Sequence, residues 1–89
     1  MKHSFTFYAD SGHAWLKVSL ADTKSVGLSL DSFSEFSYWR NNKYEPFLYL
    51  EEDCDAGVFL ESYRTMHGNL PAIRESFCDW SKIRNFNRM

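Results

Sequence analysis

The densest group of chemically active side chains is an acidic run in the middle of the chain. Glu51, Glu52, Asp53 and Asp55 fall within five positions and enclose Cys54. Clustered carboxylates can hold hard cations such as Mg²⁺ or Ca²⁺. The run lacks the ligand spacing of an EF-hand loop, and its anions oppose thiolate formation at the cysteine. We therefore expect no metal, no cofactor and no catalytic residue here, and we expect Cys54 to be buried as a small apolar side chain.

Two uses of the acidic run are favoured over a metal site, which stays the third alternative. The run stands between a strand-like segment that ends at Leu50 and a helix-like segment that begins near Ala56. Carboxylates at a helix N-terminus accept its unpaired N–H groups, so Asp53 or Asp55 is the expected cap. One cap does not account for four acids, because crowded anions repel one another. The remaining carboxylates predict an acidic and aromatic surface that binds a basic partner protein. Its members are Glu51, Glu52, Asp53, Asp55 and Trp39.

A second candidate group is basic and lies near the C-terminus. Lys82 and Arg84 share one side of a strand-like segment. Cations beside exposed rings bind nucleotides or nucleic-acid backbones. This use predicts a sponge-like protein that binds a small anionic ligand, a nucleotide or a nucleic acid. Its members are Arg74, Trp80, Lys82 and Arg84. Alternatively, these cations prevent pairing between exposed sheet edges.

The composition limits the class of protein. The 89 residues predict one domain over 1–89, and the formal net charge of −2 gives no general attraction to nucleic acid or membranes. The two cysteines do not make a disulfide framework, and we expect neither a signal peptide nor a membrane-spanning segment. We therefore expect a cytoplasmic protein without a membrane partner. Aromatic residues make up 18% of the chain, enough to fill a small core and leave some rings exposed.

The first half of the chain is predicted to form a hairpin followed by a short helix. Side chains alternate between apolar and polar over 4–8 and over 14–20, which predicts two half-buried strands joined by a turn. Ser19 and Asp22 have nearly the spacing of a capping box. They predict a short helix over 21–26.

The second half is predicted to continue the sheet and to supply the main helix. Strands are expected at 36–40 and 47–50, the latter central because both of its faces are apolar. An apolar repeat of three and four residues predicts a helix that starts near Ala56 and ends at Gly68-Asn69. Further strand candidates are 73–77 and 82–86.

The order β-β-short α-β-β-α-β-β predicts an α+β domain. We expect a small antiparallel sheet with the main helix packed on one face. Exposed strand edges at both ends of such a sheet are compatible with a homodimer.

The chain resembles a family of short proteins from bacteria, phages and plasmids. The segments that carry the resemblance are GHAWLKV (12–18), SY (37–38), YLEEDCDA (49–56) and IRNF (83–86). The sequence departs from the family pattern at Ala14, where the family has glycine, and carries an unusual loop over 41–46. The family has no assigned activity, so the resemblance transfers no functional residue. It implies a phage or mobile-element setting, in which we expect a non-enzymatic binding protein that inhibits a host defence or regulatory protein. If a phage encodes the protein, we expect it in the host cytoplasm.

Overall fold

The computed structural model describes residues 4–10, 12–34, 37–41, 46–77 and 87–88. The elements in these ranges are β1 (Ser4–Ala9), β2 (Ala14–Ser19), α1 (Leu20–Ser25), a 3₁₀ turn (Leu30–Ser32), β3 (Tyr38–Asn41), β4 (Pro46–Glu51), α2 (Asp55–His67), β5 (Ala72–Phe77) and β6 (Asn87–Arg88). None of the helices in these ranges is long and apolar enough to cross a membrane. The strand expected at 82–86 lies outside the described residues.

The described strands form one sheet in the order β5-β1-β2-β4-β3-β6. Neighbouring strands are antiparallel except β1 and β5, which run parallel, with Ser4 beside Ala72 and Ala9 beside Phe77. α2 returns the chain across the sheet, so β5 runs in the same direction as β4, and a parallel return of this kind requires a long connection. The predicted α+β class with one main helix on the sheet is confirmed. The sheet itself is mixed rather than wholly antiparallel.

The first hairpin and α1 form where the local sequence predicts them. Asp10 Oδ1 accepts hydrogen bonds from the backbone N–H groups of Gly12 and His13, both at 2.9 Å, and these bonds close the turn between β1 and β2. At α1, the N–H of Asp22 donates to Ser19 Oγ at 3.0 Å, and the N–H of Ser19 donates to Asp22 Oδ2 at 3.1 Å. This complete capping box satisfies N–H groups that the helix itself leaves unpaired.

An apolar core lies between the sheet and α2. Phe5 of β1 packs edge-on against Phe59 and Tyr63 of α2, with ring centroids 5.2 and 6.1 Å apart. The helix ends at Gly68, whose φ of 85° glycine adopts without steric strain. We call this side of the sheet the helix face. Its buried members, with those of the helices, are Phe5, Leu16, Val18, Val26, Leu48, Leu50, Ala56, Phe59 and Tyr63.

The opposite side of the sheet, which we call the second face, carries a separate aromatic cluster. Trp15, Tyr38 and Tyr49 are buried there, and Tyr8 and Phe47 pack against them. The described parts of the helices contribute no residue to this cluster. Because β4 is apolar on both faces, it lies inside the sheet between β2 and β3, as its sequence predicts.

Candidate functional site

A pocket of about 170 Å³ opens on the second face. The side chains that line it are Lys17, Arg40, Asn41, Phe47 and Tyr49. They come from β2, β4 and β3, which are neighbours in the sheet. The pocket therefore combines two cations, from β2 and β3, with two aromatic rings of β4.

Strand register brings the two cations to this pocket. Lys17 lies opposite Tyr49, and Arg40 lies opposite Phe47. Paired residues of neighbouring strands share a face of the sheet, so β4 holds its two rings between the two cations. Lys17 Nζ is 4.5 Å from the centroid of the Phe47 ring, within the range of a cation–π interaction. The ammonium group is thereby held over an apolar surface at the pocket.

Tyr49 contributes a neutral phenol to the pocket. Its side chain is only 8% exposed. Burial and the neighbouring Tyr8 raise the pKa of the Tyr49 phenol above its ordinary value, although the nearby charge of Arg40 partly opposes the shift. Tyr49 therefore stays protonated at neutral pH and adds no negative charge to the pocket.

The exposed charge that strands β1 to β5 place on the second face is positive. In β1 to β5 the charged residues on this face are Lys17, Arg40, Arg74 and Glu51. Glu51 is only 7% exposed, whereas Arg40 and Arg74 are exposed and Lys17 is half-buried. The chain as a whole has a formal charge of −2, so the positive charge is a local property of this face.

The structure divides the predicted acidic surface into buried and exposed members. Asp55 is 3% exposed, and its carboxylate accepts hydrogen bonds from Ser34 N–H at 2.9 Å, from Ser34 Oγ at 2.7 Å and from Ser37 Oγ. The N-cap of α2 is Cys54, which makes no side-chain cap bond. The expectation that Asp53 or Asp55 caps the helix was wrong, because donors from the distant segment before β3 take the Asp55 carboxylate.

Glu51 is also buried, contrary to its expected place on a contact surface. Its Oε2 accepts hydrogen bonds from the N–H groups of Asp53 and Cys54, both at 3.1 Å, and so satisfies donors just before α2. Its own N–H donates to Ser37 Oγ at 2.9 Å. Glu52 and Asp53 are the exposed carboxylates of the run. Of the four acids predicted to form the contact surface, these two are accessible to a partner. Among the described residues, no three His, Cys, Asp or Glu side chains come together in a way that could hold a metal ion.

Two neighbouring predictions are also revised. Cys54 is exposed rather than buried, because the turn over 52–54 that leads into α2 faces solvent. Loss of hydration, followed by the neighbouring carboxylates, raises the pKa of its thiol, which is the direction that the sequence predicts. Trp39 is half-buried and packs against the core of the helix face. Its ring is therefore only partly available to a partner.

Of the four residues in the predicted basic group, the structure describes Arg74. This residue lies in β5, is exposed, and pairs in register with Thr6 of β1 on the second face. The other three members lie outside the described residues: Trp80, Lys82 and Arg84.

Sequence reasoning did not identify Lys17 and Arg40 as functional candidates. The available signal was a ring and a cation two positions apart on one side of a strand, Trp15 with Lys17 and Tyr38 with Arg40. Neither pair indicates a site alone, because only the register through β4 brings the two cations together.

Comparison of this chain with protein-family models, with curated proteins and with solved structures finds no match. The resemblance to the short phage and plasmid proteins therefore stays a prediction. The candidate site depends on the geometry of the second face alone.

Proposed function

We propose that this protein is a non-enzymatic binding protein that holds a nucleotide-type anion, a flat ring joined to a phosphate, on its second face. The observation that carries the proposal is the placement of Lys17 and Arg40 beside the rings of Phe47 and Tyr49 in one pocket. Cations form charge-assisted hydrogen bonds with phosphate oxygens, and the half-buried ring of Phe47 offers a surface for a base. The ligand is bound without turnover, as in a sponge-like protein.

The size of the pocket agrees with partial enclosure of such a ligand. Its volume of about 170 Å³ is below the roughly 300–1,000 Å³ of pockets that enclose a drug-sized molecule. The pocket therefore takes one part of the ligand, and the rest lies on the surface beside it. Arg40, exposed on β3, is placed to contact a phosphate outside the pocket.

Titration calorimetry with mononucleotides and cyclic nucleotides at low salt tests this proposal. Lys17→Gln and Arg40→Gln should each weaken binding about tenfold, because a hydrogen bond to a charged group contributes about 1.5 kcal/mol. Lys24→Gln is the matched control: it makes the same change on α1, which packs on the helix side of the sheet. Absence of binding with every nucleotide, or an equal loss in the control, would refute the proposal.

The exposed part of the acidic run supports a second proposal, in which the protein binds another protein. Glu52 and Asp53 are exposed at consecutive positions in the turn before α2, where they remain accessible to a basic partner. We propose that any inhibition of a host protein by a phage or mobile element acts through these two carboxylates. The cytoplasmic location and the homodimer stay predictions beside it.

A further inference from the structure

We infer that the ligand of the second face is a single-stranded nucleic acid that crosses the strands of the sheet from β3 to β5. The inference rests on the proposed function and extends it from a nucleotide to a chain of nucleotides. Its basis is a third cation, Arg74, that strand register places in line with the pocket. Arg74 lies beside Thr6, and Thr6 lies opposite Lys17.

The three cations span a distance that one nucleotide cannot bridge. Arg40 on β3 and Arg74 on β5 are separated by four strand intervals, or roughly 19 Å at about 4.8 Å per interval. Lys17 on β2 lies midway between them in the strand order. A ligand that contacts all three must therefore carry negative charge at repeated intervals, as a sugar–phosphate backbone does.

The surface along this line is accessible. Arg74 is exposed, Thr6 and Phe47 are half-buried, and Arg40 is exposed. The rings of Trp15, Tyr38 and Tyr49 in the second-face cluster, in contrast, are buried. A strand that follows the cations therefore passes over the accessible side chains rather than over the buried rings.

The rings favour a single strand over a duplex. Unpaired bases can leave the stack and contact an aromatic side chain, whereas the bases of a duplex are already stacked and paired. Phe47 is half-buried at the pocket, beside Lys17, and offers such a contact. In β1 to β5 no exposed carboxylate on this face opposes the backbone, because Glu51 is buried.

Fluorescence anisotropy with labelled oligothymidylates tests the inference. The probes run from the mononucleotide to about twelve nucleotides, within the range of site sizes known for single-strand binding domains. Affinity should rise with length until the probe spans the three cations. Three phosphate contacts at about −0.7 each predict a slope near −2 for log K against log salt, or a roughly 20-fold loss between 50 and 200 mM salt.

Arg74→Gln separates this inference from the proposed function. The variant should lower the magnitude of the salt slope by about 0.7 for long probes and leave mononucleotide binding unchanged. Arg64→Gln is the matched control, because it removes an exposed guanidinium on α2 that pairs with Glu61. Circular dichroism checks that both variants keep the fold.

The outcomes of the length series and of the variants distinguish the single-strand inference from the proposed function. Equal affinity for all probe lengths, with no effect of Arg74→Gln, overturns the strand inference while the proposed function stands. Tighter binding of a duplex or of an acidic peptide also overturns it. If neither mononucleotides nor oligonucleotides bind, the inference and the proposed function fail together.

Discussion

The carboxylate of Asp55 accepts a hydrogen bond from the hydroxyl of Ser37, eighteen positions earlier in the chain. The same hydroxyl oxygen accepts the N–H of Glu51 at 2.9 Å. One serine thus joins the start of α2 to the end of β4 and to the segment that leads into β3. Because Asp55 and Ser37 are both buried, these bonds form where water does not compete.

Asp55→Ala should destabilise the fold by about 3 kcal/mol. The substitution removes the acceptor of the buried Ser37 hydroxyl and three bonds to the half-buried Ser34, and an unsatisfied buried donor costs about 1–3 kcal/mol. Urea denaturation measures the free energy of unfolding. The control is Asp53→Ala, an exposed site in the same run that should change stability by less than about 0.5 kcal/mol. Equal effects of the two substitutions would contradict a structural role for Asp55.

Gly57→Ala and Gly68→Ala should change stability in opposite directions. Gly57 lies inside α2, and a methyl group there meets no atom within 4 Å, so alanine should stabilise the helix by roughly 0.5–1 kcal/mol. Gly68 has a φ of 85°, which an alanine side chain opposes, so alanine there should cost about 1 kcal/mol. Thermal melts followed by circular dichroism give both values. A gain in stability from Gly68→Ala would show that α2 does not end in this conformation.

Cys54 should react slowly with iodoacetamide near neutral pH although it is exposed. Its raised pKa keeps the thiol protonated, and only the thiolate is alkylated. The rate measured against pH, in a Cys78→Ser background, should therefore have a midpoint above the value of about 8.5 for an ordinary thiol.

Removal of one neighbouring charge checks the cause of this shift. Asp53→Asn should move the midpoint down, because Asp53 is among the carboxylates that raise the pKa of Cys54. Lys24→Gln, on α1, should leave it unchanged. A midpoint at or below the ordinary value would contradict the electrostatic account.

Reversing the charge of Glu52 and Asp53 should abolish binding to a basic partner protein if the turn before α2 is the contact surface. Both side chains are exposed, so Glu52→Lys with Asp53→Lys should leave the melting temperature nearly unchanged. Pull-downs from host lysate compare the variant with the parent protein. Glu61→Lys on α2 controls for a general change in charge, and retention of the partner by the double variant would exclude this surface.

The parts of the fold that were predicted from sequence depend on local signals. Asp10 and the following residues favour a turn, and Ser19 with Asp22 forms the capping box that starts α1. The stop at Gly68 follows from the conformational freedom of glycine. Each of these features is determined by residues a few positions apart, so periodicity and turn chemistry suffice to locate them.

The parts that were not predicted depend on contacts between distant residues. The partners of Asp55 are Ser34 and Ser37, which the sequence does not distinguish from the other serines before β3. The parallel pairing of β5 follows from the path of α2 across the sheet. Lys17 and Arg40 line the same pocket only because their strands lie on either side of β4. Local patterns carry no information about such arrangements.

The parallel pairing of β5 places an exposed strand at one edge of the described sheet. It joins position 4 to position 72, so it closes a long loop, and all six residues of β5 are exposed. Local opening should therefore include this edge, with early exchange of the β5 amide hydrogens. A nucleic acid that contacts Arg74 and Arg40 together would bind only the closed sheet. Ligand binding and the order of β5 would then be thermodynamically linked, each favouring the other.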